Sequence, residues 1–452
     1  MTGAAISRWT MSYFTAALMS LLIGGALTAS GFGYPSVPLD APETLVVVHI
    51  VAIGWLGLLF CGALLQFVPV LVAKSLRAAW VAAPALVAII IGLACLIAGF
   101  LAMGDRIDAS LGLLPFGAAV LLVGFGALIA VFGLTLVSAR PLSVPARLVA
   151  VGLGSLAITV MLGLAFSIVL SGADVPTVFS DLLGIGVPFH AAFGLLGWMT
   201  LTALGVSYRL FTMFMLAPEG GKATGRWVLW LAVLALVALA VSLCAKVGDL
   251  PPFAYIPAVA IGLTLAAVAV YCRDIVRIYR ARRRKTLELN ISTSLIALGF
   301  LVAGLVALVS SGFVEQPDHL TASAIYLLIF GWLSGLGLGQ LYKIVPFLTW
   351  LECYGPVMGK TPVPRVQDLV NERRAALWFW LYFVAVAFGS VFLFLGSVLL
   401  FRFASACQMM AVAGLIFEYI QARRLSCASP AIRLPKGAIR PHLIIPHIQT
   451  RR

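Results

Sequence analysis

"HIVAIGWLGLLFCGALLQFVP" (His49–Pro69) is apolar and of bilayer length, yet it carries a His near one end, a Gln near the other and Gly-Trp between. A spanning helix needs only about 20 apolar residues, so crossing a membrane does not require these inclusions. Two more runs share the plan: "HAAFGLLGWMTLTALGVSYRLFT" (His190–Thr212) and "FGWLSGLGLGQLYKIVP" (Phe330–Pro346). Aligned on Trp, each reads Trp, six residues, Gly, six residues, then Pro or Thr. The sets are Trp55, Gly62, Pro69; Trp198, Gly205, Thr212; and Trp332, Gly339, Pro346. Gly54, Gly197 and Gly331 precede the three Trp. Eleven residues after each Trp stands Gln66, Arg209 or Lys343, and Tyr208 and Tyr342 precede the last two. At roughly 100° per residue these positions share one narrow helical face. Gly on that face lets a neighbouring backbone approach closely.

The rest of the chain has the same character. Of 452 residues, 62% are hydrophobic and 10% charged, against about 25% charged in soluble domains. The sequence therefore predicts an all-α polytopic membrane protein. Twelve transmembrane helices are expected, near 11–31, 45–73, 79–103, 110–137, 146–171, 188–216, 226–246, 253–277, 291–314, 320–349, 374–397 and 400–422. The three Trp-Gly runs fall on spans 2, 6 and 10, so the chain reads as three pseudo-repeated four-helix sets, approximately 1–140, 141–285 and 286–423. This argues against the transporter plan of two six-helix halves. The seven Cys are scattered, which predicts neither a disulfide framework nor a zinc site. No P-loop, dinucleotide fingerprint, HExxH or nucleophile elbow is present.

Charge alternates between the connections. One side holds Arg8, Lys74, Arg140, Arg147, "RIYRARRRK" (277–285) and the tail, and the other holds "GDRID", "GADVPTVFSD" and "VEQPD". The positive-inside rule then puts both termini in the cytoplasm, which fits a bacterial inner membrane. The net charge of +14 follows this topology and does not point to nucleic acid. The basic tail, 424–452, reads as a mostly disordered solvated end, or as a segment touching anionic lipid. Its His442 and His447 are weak metal candidates beside prolines. The cytoplasmic segment 354–374 reads as the docking loop for a partner.

The intramembrane ionisable groups are few. Gln66, Arg209 and Lys343 read either as a cluster meeting an anionic group, with Tyr208 and Tyr342 beside it, or as cations snorkelling to the interface. No carboxylate falls in mid-membrane; Asp274 and Glu418 come closest. That weakens pump and ion-coupled transporter readings.

Twelve spans, the threefold organisation and His at the outer part of helices 2 and 6 resemble subunit I of the heme-copper oxidase superfamily. The C-type oxidases and nitric oxide reductases come nearest, and nearer still is a short oxidase-like branch with runs such as "GLGQLYKIVPFLTWLECYGP". The resemblance covers roughly 10–425. It implies heme, and a role in electron transfer, nitric oxide response or support of respiratory or denitrification membrane proteins. An active member needs six metal-ligating histidines; this chain has five His, two of them in the tail. Helix 7 has none, so the resemblance does not extend to a complete oxygen or nitric oxide reductase, and enzymatic activity stays open. His49 matches the helix 2 low-spin heme ligand, His190 matches helix 6 by position only, and His319 matches helix 10 loosely. Each reads as a ligand or as a His satisfied by a carbonyl or water. Counted from their Trp, His49 and His319 share a face but differ by roughly 10 Å in depth. Copper on His49 and His190, with nearby Met, is the alternative cofactor reading. A cofactor-free assembly scaffold is the third.

Overall fold

The computed structural model describes residues 9–218, 222–249, 255–314 and 317–444, so Arg8, His447 and parts of three connecting loops lie outside the described residues. Twelve helices in it are long and apolar enough to cross a membrane. They are α1 (Thr10–Ser30), α2 (Pro42–Val72), α3 (Ala79–Met103), α4 (Leu113–Val137), α5 (Val144–Leu170) and α6 (Thr177–Met215). The second half holds α7 (Thr224–Val247), α8 (Ile256–Arg280), α9 (Leu289–Phe313), α10 (Pro317–Val357), α11 (Glu372–Phe394) and α12 (Val398–Arg423). Among the described residues there is no strand. The chain is an all-α polytopic membrane protein, because only a helix satisfies a lone segment's backbone polar groups inside lipid.

Two spans differ from their sequence reading. α6 begins at Thr177, not near 188, and α10 runs from Pro317 to Val357, beyond 320–349. "GADVPTVFSD" had read as a loop because of its polar residues. The helix instead starts directly after Pro176 and continues through Pro188.

The chain forms two compact units: Met1–Ala63 with Glu288–Arg452, and Leu64–Leu287. The division cuts the first expected four-helix set. α1 and the outer part of α2 belong with α9–α12, whereas α3 and α4 belong with α5–α8. Within the units the sets repeat one packing plan. The first helix of each set packs on the second, and the third on the fourth.

The second helix of each set carries the clearest evidence of repetition. A π-helical segment, in which each N–H bonds the carbonyl five residues back, covers Ile50–Gly57 in α2, Phe193–Thr200 in α6 and Leu327–Ser334 in α10. Each runs from five residues before the set's Trp to two after it. The Gly seven residues beyond each Trp then seats the helix on the first helix of its set. A Cβ on Gly62 would stand 2.8 Å from Tyr13 Cβ, and one on Gly205 2.7 Å from the Pro145 carbonyl. One on Gly339 would fall on Thr293 Oγ1. The sequence spacing thus marks a close helix–helix contact in all three sets, against backbone at Gly205 and against side chains at Gly62 and Gly339.

Beyond α12 the chain does not trail away. Leu425 and Ala428 are buried in one cluster with Cys353, Tyr354, Val357 and Leu369. The Tyr354 hydroxyl donates to the Arg433 carbonyl at 2.8 Å, and the Trp350 indole donates to the Pro364 carbonyl at 2.6 Å. Within 424–444, Leu425, Ala428 and Ala438 thus find apolar partners at the end of α10 and in the α10–α11 loop. The chain itself covers Val357 at the start of that loop and Leu369 within it, while Met358, Lys360 and Arg365 stay exposed. At its far end the Arg365 guanidinium hydrogen-bonds Asp368 and holds its carboxyl below the usual carboxylate range.

Candidate functional site

π-helical turns often mark functional positions. In the first unit two of them meet. The Trp55 indole in α2 donates to Ser334 Oγ in α10 at 2.8 Å, both buried. Ser334 in turn donates to the Ile329 carbonyl, five residues back. The Tyr382 hydroxyl in α11 donates to the Phe330 carbonyl at 2.8 Å, inside the same π-helical segment. One turn outward, the Tyr326 hydroxyl donates to Gln408 Oε1 at 2.5 Å, and Ser323 meets Ser390 at 2.6 Å. A seam of satisfied polar groups thus runs down the inner face of α10. In an apolar surround each such group would be costly unpaired, so the seam fixes how α2, α11 and α12 dock on α10.

His49 is the residue that caps the α2 π-helical segment. Its Nδ1 stands 2.7 Å from the Leu45 carbonyl oxygen. A carbonyl can only accept, so Nδ1 carries the proton and Nε2 carries the lone pair. This is the arrangement that orients a metal-ligating imidazole, and it also suits a half-buried structural His. His319 lies in the first turn of α10, with Nδ1 3.2 Å from the Phe394 carbonyl and its ring against Gly396. His190, in the second unit, packs edge-on to Phe166 at 5.6 Å between centroids.

The depth of His49 and His319 follows from the Trp55–Ser334 bond, which sets α2 and α10 side by side. His49 precedes Trp55 by six residues, and His319 precedes Ser334 by fifteen. The nine-residue difference puts His319 about 13 Å farther out. Among the described residues no group of three or more His, Cys, Asp or Glu is arranged to hold a metal ion, so the copper reading gains no ligand set from the fold.

The expected polar cluster divides between the two units. Gln66, Arg209 and Tyr208 lie in the second, Lys343 and Tyr342 in the first. Lys343 Nζ is 2.8 Å from Glu288 Oε2, so a carboxylate of the chain already meets its charge. Arg209 is exposed, which matches the snorkelling alternative. Tyr208 instead donates to Asp274 Oδ2 in α8 at 2.9 Å. The neighbouring Tyr271 and Ser207 hydroxyls are 2.6 Å apart.

Asp274 and Glu418 are 7% and 1% exposed, so these carboxylates lie inside the bundle rather than at its margin. Each stands near the inner end of the fourth helix of its set. Asp274 receives Tyr208 and lies 3.8 Å from Arg277, and Glu418 takes both arms of the Arg374 guanidinium. Glu418 is also an electrostatic neighbour of Tyr342. Sets 2 and 3 thus each hold a buried carboxylate on the fourth helix, and in set 2 the Tyr ten residues after the Trp donates to it, whereas set 1 has Leu65 at that Tyr position.

No family model matches the chain, and no curated protein matches it. Its assignment rests on these residues alone.

Proposed function

We propose that the chain is a heme-binding integral membrane protein of the oxidase-like, three-set kind, in which His49 supplies one axial ligand and no binuclear centre is built. The observation that carries this reading is the His49 imidazole at the lip of the α2 π-helical segment, with Nδ1 2.7 Å from the Leu45 carbonyl oxygen, the kind of backbone contact that orients a ligating imidazole. The repeated register of the π-helical segments supports the kinship in fold on which the heme reading draws. Heme held by one histidine transfers single electrons and binds small diatomic gases such as nitric oxide. Those are the roles open to this chain beside respiratory or denitrification complexes.

Detergent-purified protein should show a Soret band that shifts when carbon monoxide is added to the reduced form. The band should disappear in His49→Ala and persist in His319→Ala. An unchanged Soret band in His49→Ala would sink the assignment, as would wild-type protein expressed with ample heme that carries none.

We further propose that both termini face the cytoplasm of a bacterial inner membrane, on the strength of the Lys and Arg distribution. A membrane-impermeant maleimide tests it in a Cys244→Ser background. Asp108→Cys, in the exposed α3–α4 loop, should label in intact cells, and the exposed Cys427 only after permeabilisation. The opposite pattern would invert the topology.

A further inference from the structure

The C-terminal strap, 424–444, is basic, partly apolar and fastened to the transmembrane helices at several points. Leu425 and Ala428 anchor its start. The Ile439 N–H donates to the Cys353 carbonyl, and the buried Arg423 guanidinium donates to the His442 carbonyl. Its end returns to α1: Ser12 Oγ donates to the Ile444 carbonyl at 3.3 Å. Ser12 belongs to the first turn of α1, so Leu443 and Ile444 lie level with the first turn of a helix long and apolar enough to span a membrane.

Two kinds of side chain are left outside. Leu434, Leu443 and Ile444 are 46%, 43% and 47% exposed, although the strap buries other apolar residues. Arg424, Lys436 and Arg440 of the same strap are exposed as well. Residues 424–452 contain no Asp or Glu, so no acidic group within the tail offsets these cations. Exposed apolar side chains at that level, with cations on the same segment, form the pattern that lies in a lipid interface. The apolar groups enter the acyl boundary, and the cations meet headgroup phosphates.

We propose that this strap is a docking surface for the anionic headgroups of the membrane that holds the chain, clamping the face on which both termini lie. The inference goes beyond the heme reading and does not depend on it. A basic residue close to an anionic surface gains roughly fivefold in local partition, so three together gain roughly a hundredfold.

The test uses full-length protein with Leu443→Cys carrying an environment-sensitive fluorophore, in a Cys244→Ser/Cys427→Ser background. It is reconstituted in vesicles of phosphatidylcholine alone or with phosphatidylglycerol. The fluorophore should shift to the blue and be quenched by spin-labelled lipid only when phosphatidylglycerol is present. Raising the salt to about 0.5 M, where screening is short-ranged, should reverse the shift, and so should Arg424→Gln/Lys436→Gln/Arg440→Gln. The same emission in both lipids overturns the proposal, because it means apolar insertion alone or no insertion. Emission that follows the protein-to-lipid ratio also overturns it, because a second copy of the chain then covers the strap. The comparison of lipids uses no charge-neutralised variant, so a misfolded triple variant leaves the result decisive.

Discussion

Gly339→Val should lower stability by about 3 kcal/mol or more, whereas Gly299→Val should change it by less than about 0.5 kcal/mol. Both glycines lie within helices of the same set, and both substitutions add the same branched side chain. They differ in what the new atoms meet. A Cβ at Gly339 falls on Thr293 Oγ1 and stands 3.1 Å from Thr293 Cβ, whereas at Gly299 nothing lies within 4 Å. Thr293 cannot swing freely aside, since it is buried and its hydroxyl donates to the Asn290 carbonyl. α10 would have to lift from α9, and the polar seam on its inner face would be strained with it. Thermal unfolding in detergent, followed by reaction of newly exposed native thiols, measures the difference. Gly62→Val and Gly205→Val should resemble Gly339→Val, because the same approach recurs in each set. Equal midpoints for the Gly299 and Gly339 variants would show that the spacing is a coincidence of composition.

The Trp-Gly spacing was legible because a close helix–helix contact leaves only one residue type that fits. Hydropathy was legible too, since it is a property of single segments, and it found all twelve spans. The π-helical segments were not. They contain Gly and Trp at fixed positions, but no periodicity in the sequence distinguishes a wide turn from an ordinary one. The partners of the polar seam were also missed. Tyr382, Gln408 and Ser334 are lone polar residues on apolar helices, and only the pairing of distant segments shows that they meet. Asp274 and Glu418 were singled out as the carboxylates closest to the membrane. Their burial was hidden because Tyr208 and Arg374, which make it tolerable, stand 66 and 44 residues away. The contacts of the tail were missed for a related reason: its composition is that of a disordered segment, and its order comes from groups on α10 and α12.

Arg423→Ala tests that order and should cost about 3–5 kcal/mol, the loss expected when one partner of a buried ion pair is removed. The Arg423 side chain is 3% exposed. Its guanidinium donates to Glu352 Oε2 at 2.8 Å, to Thr349 Oγ1 at 3.1 Å and to the His442 carbonyl. One planar group therefore ties α12, the inner end of α10 and the strap together. Alanine leaves Glu352, whose side chain is only 16% exposed, without its cation. Lysine keeps the charge but lacks the planar fork that reaches several acceptors at once, so Arg423→Lys should fall between the two. The damage should be local before it is global. Trypsin should cut after Lys436 many times faster in Arg423→Ala, at temperatures where the membrane helices remain folded, because the strap is released while most helix packing is untouched. A lowered unfolding midpoint with unchanged strap cleavage would instead assign Arg423 to the bundle alone and leave the strap held by Tyr354 and the apolar cluster.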